Sequence, residues 1–267
     1  MLAKNVATDR RSPSARNLVA LVLAALAAAL LVAVALSPTR SAQGVALSCA
    51  PRVIVVDLSS SDRSPKVSHL AQDVIEAAAQ SAVVCADSLS AYGVSGGGAV
   101  TTILTSDDIA SFIPIGPNAQ VREVRFTSED RTALDNLITK RLSTAYSGTD
   151  PKVTSVAAMY DIAAQQSSAD SQVVFITTGV NEDETVNLNQ PLGTGEGAAL
   201  ARRVEIPRLM ASSITEVGVA QVDSTTPPPS TQWPQEVLGF NAALCRAAGV
   251  KTCRMFDLAS PSRVLNP

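Results

Sequence analysis

An apolar run at 53–56 is followed abruptly by polar residues. All four residues of the run are β-branched, which is typical of a short strand buried on both faces. The chain then continues through Asp57, Ser59 and Ser61, and Ser64-Pro65 favours a helix start because serine caps helices and proline fits the first helical position. This order of strand, polar loop and helix places Asp57 at the carboxyl end of a strand, where open α/β sheets bind ligands.

Apolar patterns typical of helices and of strands continue along the rest of the chain. Apolar positions recur at helical spacing after Pro65, and two strand-like runs flank the triple glycine 96–98, which favours a β-hairpin. The predicted helices cover about 65–84, 127–146, 152–166, 198–210 (interrupted at Pro207) and 234–248, and the predicted strands cover 53–56, 88–95, 99–106, 172–177, 214–222 and 251–258. Strands that alternate with helices indicate an α/β fold, with a doubly wound, mainly parallel sheet.

The motif Asp57-x-Ser59-x-Ser61 after a buried strand resembles the metal-ion-dependent adhesion site of von Willebrand factor A (vWA) domains. Its carboxylate and two hydroxyls are hard oxygen donors that suit an ion of the magnesium class. The hairpin around 96–98 agrees with the same family, in which the third strand is an antiparallel edge strand. The alternative is a serine-rich loop whose oxygens only cap the following helix.

The resemblance implies further ligands from other loops. The family uses a threonine from the loop before 152–166, and Thr149 fits this place; Thr154 is the alternative, and a plain helix cap also explains Thr149. Many members have Thr-Asp-Gly after the next strand, where this chain has Thr178 in the place of the aspartate. Asp183 or Glu182 on the same loop could supply the missing carboxylate.

The implied ligand set binds Mg²⁺, or Mn²⁺ or Ca²⁺, and consists of Asp57, Ser59, Ser61, Thr149 and Thr178. A single carboxylate predicts a weakened site, because hard cations are held largely by charge. The glycine-rich stretch 193–197 lacks the lysine of a P-loop. We expect it to form a flexible loop beside the site, within a segment 181–197 that would set partner specificity.

The N-terminal part has the pattern of a membrane anchor. Residues 1–17 carry a net charge of +3, and 18–36 contain no charged residue. As a helix, 18–36 would be about 28 Å long, enough to cross a bilayer core. The positive-inside rule then predicts a cytoplasmic head 1–17, a single-pass signal anchor in the cell membrane, a linker 37–48 and an extracytoplasmic domain 49–260. The alternative is a cleaved signal peptide.

The four cysteines agree with an extracytoplasmic domain. An even number outside the cytoplasm suggests two disulfides, for which three connectivities exist. Cys49 precedes the first strand and Cys85 follows the first helix, so both would lie at the sheet edge opposite Asp57. We therefore expect Cys49–Cys85 and, locally, Cys245–Cys253; free buried thiols are the alternative.

Charge and histidine content narrow the function classes. The chain has a net charge of −3, so the part after the basic head carries −6, which argues against nucleic acid or anionic lipid as partner. The sequence around Ser95 matches the G-x-S-x-G pattern of serine hydrolases. Such an enzyme needs a histidine after the serine, and the single histidine, His69, precedes it. We expect a protein that is not an enzyme, with a hydrolase using Ser95 as an alternative.

Together these features predict a membrane-anchored, extracytoplasmic vWA-like domain of the bacterial type. By resemblance, it would bind a protein partner through a divalent cation, whose open coordination position would accept an aspartate or glutamate of that partner. The alternative within the same fold is a metal-free structural scaffold of a cell-envelope complex. Thr178 would favour this scaffold, because it stands at a position where the family often has an aspartate.

Overall fold

The computed structural model describes residues 49–59, 65–147, 155–221 and 228–266. All described residues belong to one compact unit. In these four ranges no helix is both long enough and apolar enough to cross a membrane. The predicted anchor 18–36 and linker 37–48 lie outside them, as do Ser61, Thr149 and Thr154.

The described residues form a six-stranded sheet in the order β3-β2-β1-β4-β5-β6. The strands are β1 (Arg52–Asp57), β2 (Leu89–Val94), β3 (Val100–Leu104), β4 (Gln172–Ile176), β5 (Ser213–Val217) and β6 (Cys253–Phe256). Edge strand β3 runs antiparallel to β2, and all other pairs are parallel. The predicted α/β class, the mainly parallel sheet and the antiparallel strand after a glycine turn are confirmed.

Helices cover both faces of this sheet, as a doubly wound fold requires. They are α1 (Pro65–Cys85), α2 (Ser106–Ala110), α3 (Ala119–Arg125), α4 (Ser128–Ser147), α5 (Val156–Gln166), α6 (Glu196–Ala201), α7 (Trp233–Ala247) and α8 (Pro261–Leu265). One core joins the sheet to α1, α2, α4 and α8, and the other joins it to α5, α6 and α7. Each face of β1 contributes to one core, which explains why its apolar run does not alternate with polar residues.

Two predicted elements differ from the structure. The helix predicted over 198–210 is confined to α6 and is followed by an irregular segment up to residue 212. Pro207 in that segment has no amide hydrogen and disfavours a helical conformation before it. The strand predicted over 214–222 ends at Val217, because Gly218 and Ala220 turn the backbone with φ values of 88° and 62°.

Three short helices, α2, α3 and α8, were not predicted. Each has five to seven residues, too short to show a helical apolar repeat. The last of them packs against α1, and buried Arg52 donates a 3.3 Å hydrogen bond to the Leu265 carbonyl. The domain therefore continues past the strand that was predicted as its last element.

Both expected disulfides are present. Cys49 is bonded to Cys85 and Cys245 to Cys253. The first joins the residues before β1 to the end of α1, at the edge of the sheet where the parallel strands begin. We call this the amino edge, and the opposite edge, where Asp57 lies, the carboxyl edge.

Candidate functional site

The carboxylate of Asp57 lies at the end of β1 and is almost fully buried, with 4% exposure. Its Oδ1 accepts a hydrogen bond from the Ser59 amide at 3.0 Å and one from the Ser59 hydroxyl at 2.5 Å. Ser59 itself is fully buried. Asp57 and Ser59 are therefore in direct contact, formed inside the protein by a turn of the chain directly after the strand. Their role as metal ligands stays a prediction.

Thr177, which the sequence analysis did not single out, completes this cluster. Its hydroxyl donates a 2.9 Å hydrogen bond to Asp57 Oδ2 and accepts one of 2.9 Å from the Gly179 amide. Val56 pairs with Ile176 in the parallel ladder, so the next residues, Asp57 and Thr177, leave the sheet side by side. The pairing of β1 with β4 was the signal that could have identified Thr177, because neighbouring parallel strands end at one edge.

Thr178 follows the cluster and is fully buried. Its carbonyl accepts a 2.8 Å hydrogen bond from the Ala220 amide, which ties this loop to the turn after β5. Gly179 has φ +68°, and a Cβ there would meet Asn241 Nδ2 at 2.5 Å, so the loop requires glycine at this position. The role of Thr178 as a ligand stays a prediction.

The loop after Gly179 is attached to the start of α5. Asn181 is fully buried; its Oδ1 accepts from the Val156 amide at 2.9 Å, and its Nδ2 donates to the Val186 carbonyl at 2.8 Å. Asn181 thereby caps α5 and closes the loop 181–186. This loop holds the beginning of α5, directly after the range 148–154 that contains Thr149 and Thr154.

The acidic side chains of this loop have their own contacts. Asp183 Oδ1 accepts hydrogen bonds from the Thr185 and Val186 amides at 2.8 and 2.9 Å, as in a local turn. Asp183 also lines an open groove of about 380 Å³ with Asp161 of α5 and Glu184. The expectation that Asp183 or Glu182 supplies a second carboxylate to the cluster of Asp57 stays a prediction.

The glycine-rich stretch 193–197 is hydrogen-bonded to α7, and its last two residues begin α6. The expected flexibility of this stretch stays a prediction. The Glu236 carboxylate accepts from the Gly195 and Gly197 amides, both at 2.9 Å. Trp233 donates a 2.6 Å hydrogen bond from Nε1 to the Leu188 carbonyl. Loss of these bonds would be needed to release the loop.

Tyr146, near the end of α4, belongs to the electrostatic surroundings of Asp57. Burial raises the pKa of Tyr146 to about 12, and the negative charge of Asp57 contributes to the rise. From the sequence, Tyr146 was expected only as the end of a helix. The charge of Asp57 acts on Tyr146, so the end of α4 lies within the electrostatic surroundings of the candidate site.

The chemistry of this cluster fits a hard cation. A carboxylate and the hydroxyls of Ser59 and Thr177 are oxygen donors of the kind that Mg²⁺ and Ca²⁺ take. Within the described ranges, the group of three acidic, cysteine or histidine side chains close enough to share an ion is Cys49, Cys85 and Asp87, whose two sulfurs form a disulfide. Among the described residues, Asp57 supplies the carboxylate of this cluster, and Ser59 and Thr177 supply neutral hydroxyl oxygens.

Ser95 lies in the hairpin turn between β2 and β3. Its hydroxyl is 3.4 Å from the carbonyls of Gly96 and Ala99, so it contacts backbone acceptors of the turn. The triple glycine forms a single turn of 3₁₀ helix there. These contacts agree with a structural role of the motif, and the absence of hydrolase activity stays a prediction.

The chain was compared with known proteins. No protein-family model matches it, and no curated protein matches it. Among solved structures, it is similar to the conserved hypothetical protein BatB from Bacteroides thetaiotaomicron, with 14% identity and a TM-score of 0.39 over 80% of this chain and 94% of that one. It is also similar to the pilus adhesin SpaC from Lactobacillus rhamnosus GG, with 9% identity and a TM-score of 0.41 over 81% of this chain and 29% of that one.

A third similar structure is proximal thread matrix protein 1 from the mussel byssus, with 11% identity and a TM-score of 0.31 over 73% of this chain and 48% of that one. With identities and TM-scores this low, none of the three carries information on what this chain binds.

Proposed function

We propose that this protein is a membrane-anchored, extracytoplasmic binding domain of the vWA type, which binds a protein partner through a divalent cation at its carboxyl edge. One observation carries the proposal. The buried carboxylate of Asp57 lies beside the hydroxyls of Ser59 and Thr177, where two neighbouring parallel strands end. This is the edge at which open α/β sheets bind ligands, and the donors are those that hard cations take.

Asp57 and Ser59 are the members of the proposed ligand set that are hydrogen-bonded to each other. Ser61 and Thr149, outside the described residues, and Thr178 are the further members that the resemblance implies. When bound, Mg²⁺, Mn²⁺ or Ca²⁺ would offer a coordination position to an oxygen ligand from outside. An aspartate or glutamate of the partner suits that position, because one carboxylate from this chain leaves the positive charge of the ion only partly compensated.

The proposed location is the cell membrane, with the N-terminus in the cytoplasm and the domain outside. The uncharged run 18–36 and the basic head 1–17 support it. The two disulfides support an oxidising compartment, because such bonds are rare where glutathione keeps thiols reduced.

The hydrogen bonds that Asp57 accepts favour a second candidate function, a metal-free scaffold. Both carboxylate oxygens of Asp57 already accept hydrogen bonds from protein groups. A buried carboxylate with this many donors is stabilised without a cation. In that case the cluster would fasten β1 to β4, and partner binding would use other surfaces.

The two functions are separated by thermal unfolding of the full chain in detergent, with Mg²⁺, Mn²⁺, Ca²⁺ or EDTA. A cation that binds the native state raises the melting temperature by mass action. The proposal expects such a rise for the wild type and none for Asp57→Asn. Asp161→Asn is the matched control, since it removes a carboxylate from the nearby groove. If no cation changes the melting temperature of the wild type, the metal-dependent function is wrong and the scaffold is favoured.

The proposal also holds that the protein is not an enzyme. A fluorophosphonate probe labels the activated serine of a hydrolase because it reacts with the serine oxygen. We expect no labelling of Ser95. Labelling that disappears in Ser95→Ala would contradict the proposal and establish the hydrolase.

A further inference from the structure

The most exposed large apolar side chains of the described residues lie at the amino edge, opposite Asp57. They are Ile115, Val124 and Met210, with exposures of 89%, 86% and 69%. Val100 and Leu258 follow with 45% and 40%, and both lie at the other edge, at the hairpin turn and after β6. The strongest exposure of apolar surface therefore coincides with one edge of the sheet.

Arg122 fixes the position of Ile115 and Val124. Its side chain donates to the carbonyls of Val84 at 2.7 Å and Cys85 at 2.9 Å, at the end of α1, and to the Gly116 carbonyl at 3.1 Å. Arg125 donates a further hydrogen bond to the Ile115 carbonyl. The loop around 115–116 and α3 are thus fastened together at the amino edge, and their exposed side chains are presented on a rigid support.

Met210 lies at the same edge but on the other side of the sheet. It stands two residues before Ser212, whose amide donates a 2.9 Å hydrogen bond to the Ser171 carbonyl at the start of β4. The neighbouring Leu209 belongs to the core of α5 and α7, whereas Phe126, which follows α3, belongs to the core of α1 and α4. The exposed residues therefore lie on both sides of the sheet at this edge, and a partner that contacts all of them must extend across the edge.

The chain also joins the domain at this edge. Cys49 is bonded to Cys85, with 5.5 Å between their Cα atoms. The uncharged run 18–36 precedes it by the stretch 37–48, which can extend to at most about 40 Å. A bilayer that holds 18–36 is therefore within reach of the amino edge.

We propose that the amino edge rests on the surface of this bilayer, with Ile115, Val124 and Met210 in the boundary between headgroups and acyl chains. Apolar side chains with a polar surrounding favour that boundary. The inference rests on the proposed membrane anchor. It places Asp57 away from the bilayer by the length of a strand, about 20 Å, so that the candidate cation site faces possible partners.

The test uses tryptophan fluorescence of the full chain in phosphatidylcholine vesicles with brominated acyl chains. The protein has a single tryptophan, Trp233, which is 1% exposed and gives a constant background. Ile115→Trp, Val124→Trp and Met210→Trp each add a reporter at an exposed position. Val100→Trp is the matched control at the carboxyl edge. Flotation of each variant with the vesicles measures anchoring separately.

We expect all variants to float with the vesicles. The emission added at positions 115, 124 and 210 should shift to the blue and lose most of its intensity to bromine, whereas the emission added at 100 should do neither. Flotation without quenching at the three amino-edge positions would overturn this inference and leave the anchor intact. A blue shift without bromine quenching would overturn it in favour of a protein occupant. Failure to float would overturn both the anchor and the inference.

Discussion

The Tyr160 hydroxyl of α5 donates a 2.9 Å hydrogen bond to Oε1 of Glu216, in the core between α5 and the sheet. Glu216 is fully buried, and within the described part of the chain its Oε2 has no hydrogen-bond partner. Burial raises the pKa of Glu216 to about 8, against the opposing effect of the hydrogen bond from Tyr160. The core therefore holds this side chain as a neutral acid at physiological pH.

The raised pKa of Glu216 predicts that the free energy of unfolding falls as the pH rises. Its pKa rises from 4.5, the ordinary value of a glutamate, to about 8 in the folded protein, so between these limits the native state binds more protons than the unfolded state. Stability from this group is then fully present below pH 4.5 and is lost up to about pH 8. The loss is on the order of a few kcal/mol, at about 1.4 kcal/mol per pKa unit.

The measurement is denaturant unfolding of the wild type and Glu216→Gln across this range. Glutamine cannot ionise, so the decline in stability should largely disappear in the variant. The amide nitrogen has no acceptor in place of Oε2, so the variant should be less stable than the wild type at low pH, by about 1–3 kcal/mol. An equally steep decline in both proteins would show that another group causes it.

The lowered pKa of Asp108 predicts the opposite dependence: the free energy of unfolding falls as the pH is lowered. Its carboxylate binds Arg141 through two hydrogen bonds of 2.6 and 2.9 Å and caps α2 by bonds from Thr105. The hydrogen bond from Arg141 is the main cause that lowers the pKa of Asp108 to about 2. This stability is present above pH 3.8, the ordinary pKa of an aspartate, and is lost as pH falls through about 2.

Asp108→Asn should lower the free energy of unfolding at neutral pH by about 1 kcal/mol, a value reduced for the partial exposure of the ion pair. The variant should also lose less stability than the wild type in acid. The neighbouring Asp107 is exposed and serves as the control, because Asp107→Asn should change stability little. Equal effects of the two substitutions in urea unfolding would show that the pair with Arg141 contributes nothing.

The close contact of Gly197 with α7 leads to a prediction about how the loop 193–197 is attached to that helix. A Cβ at this position would meet the Glu236 carbonyl oxygen at 1.9 Å, a backbone atom that cannot move aside. Gly197→Ala should therefore separate α6 from α7 and destabilise the protein by about 1–3 kcal/mol. Gly193→Ala is the control, since its nearest contact is the Glu196 side chain at 3.5 Å. Similar thermal unfolding of both variants would contradict the close approach of the helices.

Much of the fold could be predicted because long apolar patterns dominate it. The buried run of β1, the apolar face of α1 and the glycine turn before β3 each reflect local physics that the sequence displays. The disulfides followed from the same topology, since Cys49 and Cys85 flank a strand and a helix that begin and end at one edge. Short elements such as α3 were not predicted, because seven residues are too few to show a helical repeat of apolar positions.

The candidate site could be predicted only where its contacts are local in sequence. Ser59 reaches Asp57 across a turn of two residues, a contact that the motif itself displays. Thr177 reaches Asp57 across 120 residues, through the pairing of β1 with β4. The register of two distant strands determines that contact, and neither the spacing nor the residue types near Thr177 encode it.

A substitution of Thr177 tests how much the candidate site contributes to the stability of the sheet. Thr177→Val keeps the shape of the side chain but removes a donor to Asp57 Oδ2 and an acceptor for the Gly179 amide. Unpaired buried polar groups cost about 1–3 kcal/mol each, so we expect a loss in this range in urea unfolding. Thr101→Val, on the exposed part of β3, is the control and should change stability little.

A double-mutant cycle with Asp57→Asn then isolates the contact between the two side chains. Because Thr177 and Asp57 are direct partners, the double variant should lose less stability than the sum of the single variants, with a coupling of about 0.5–3 kcal/mol. Additive losses would show that the hydrogen bond contributes nothing. Repeating the cycle with Mg²⁺ tests the proposed site at the same atoms, since a bound cation should stabilise the wild type and leave both variants that lack the Asp57 carboxylate unchanged.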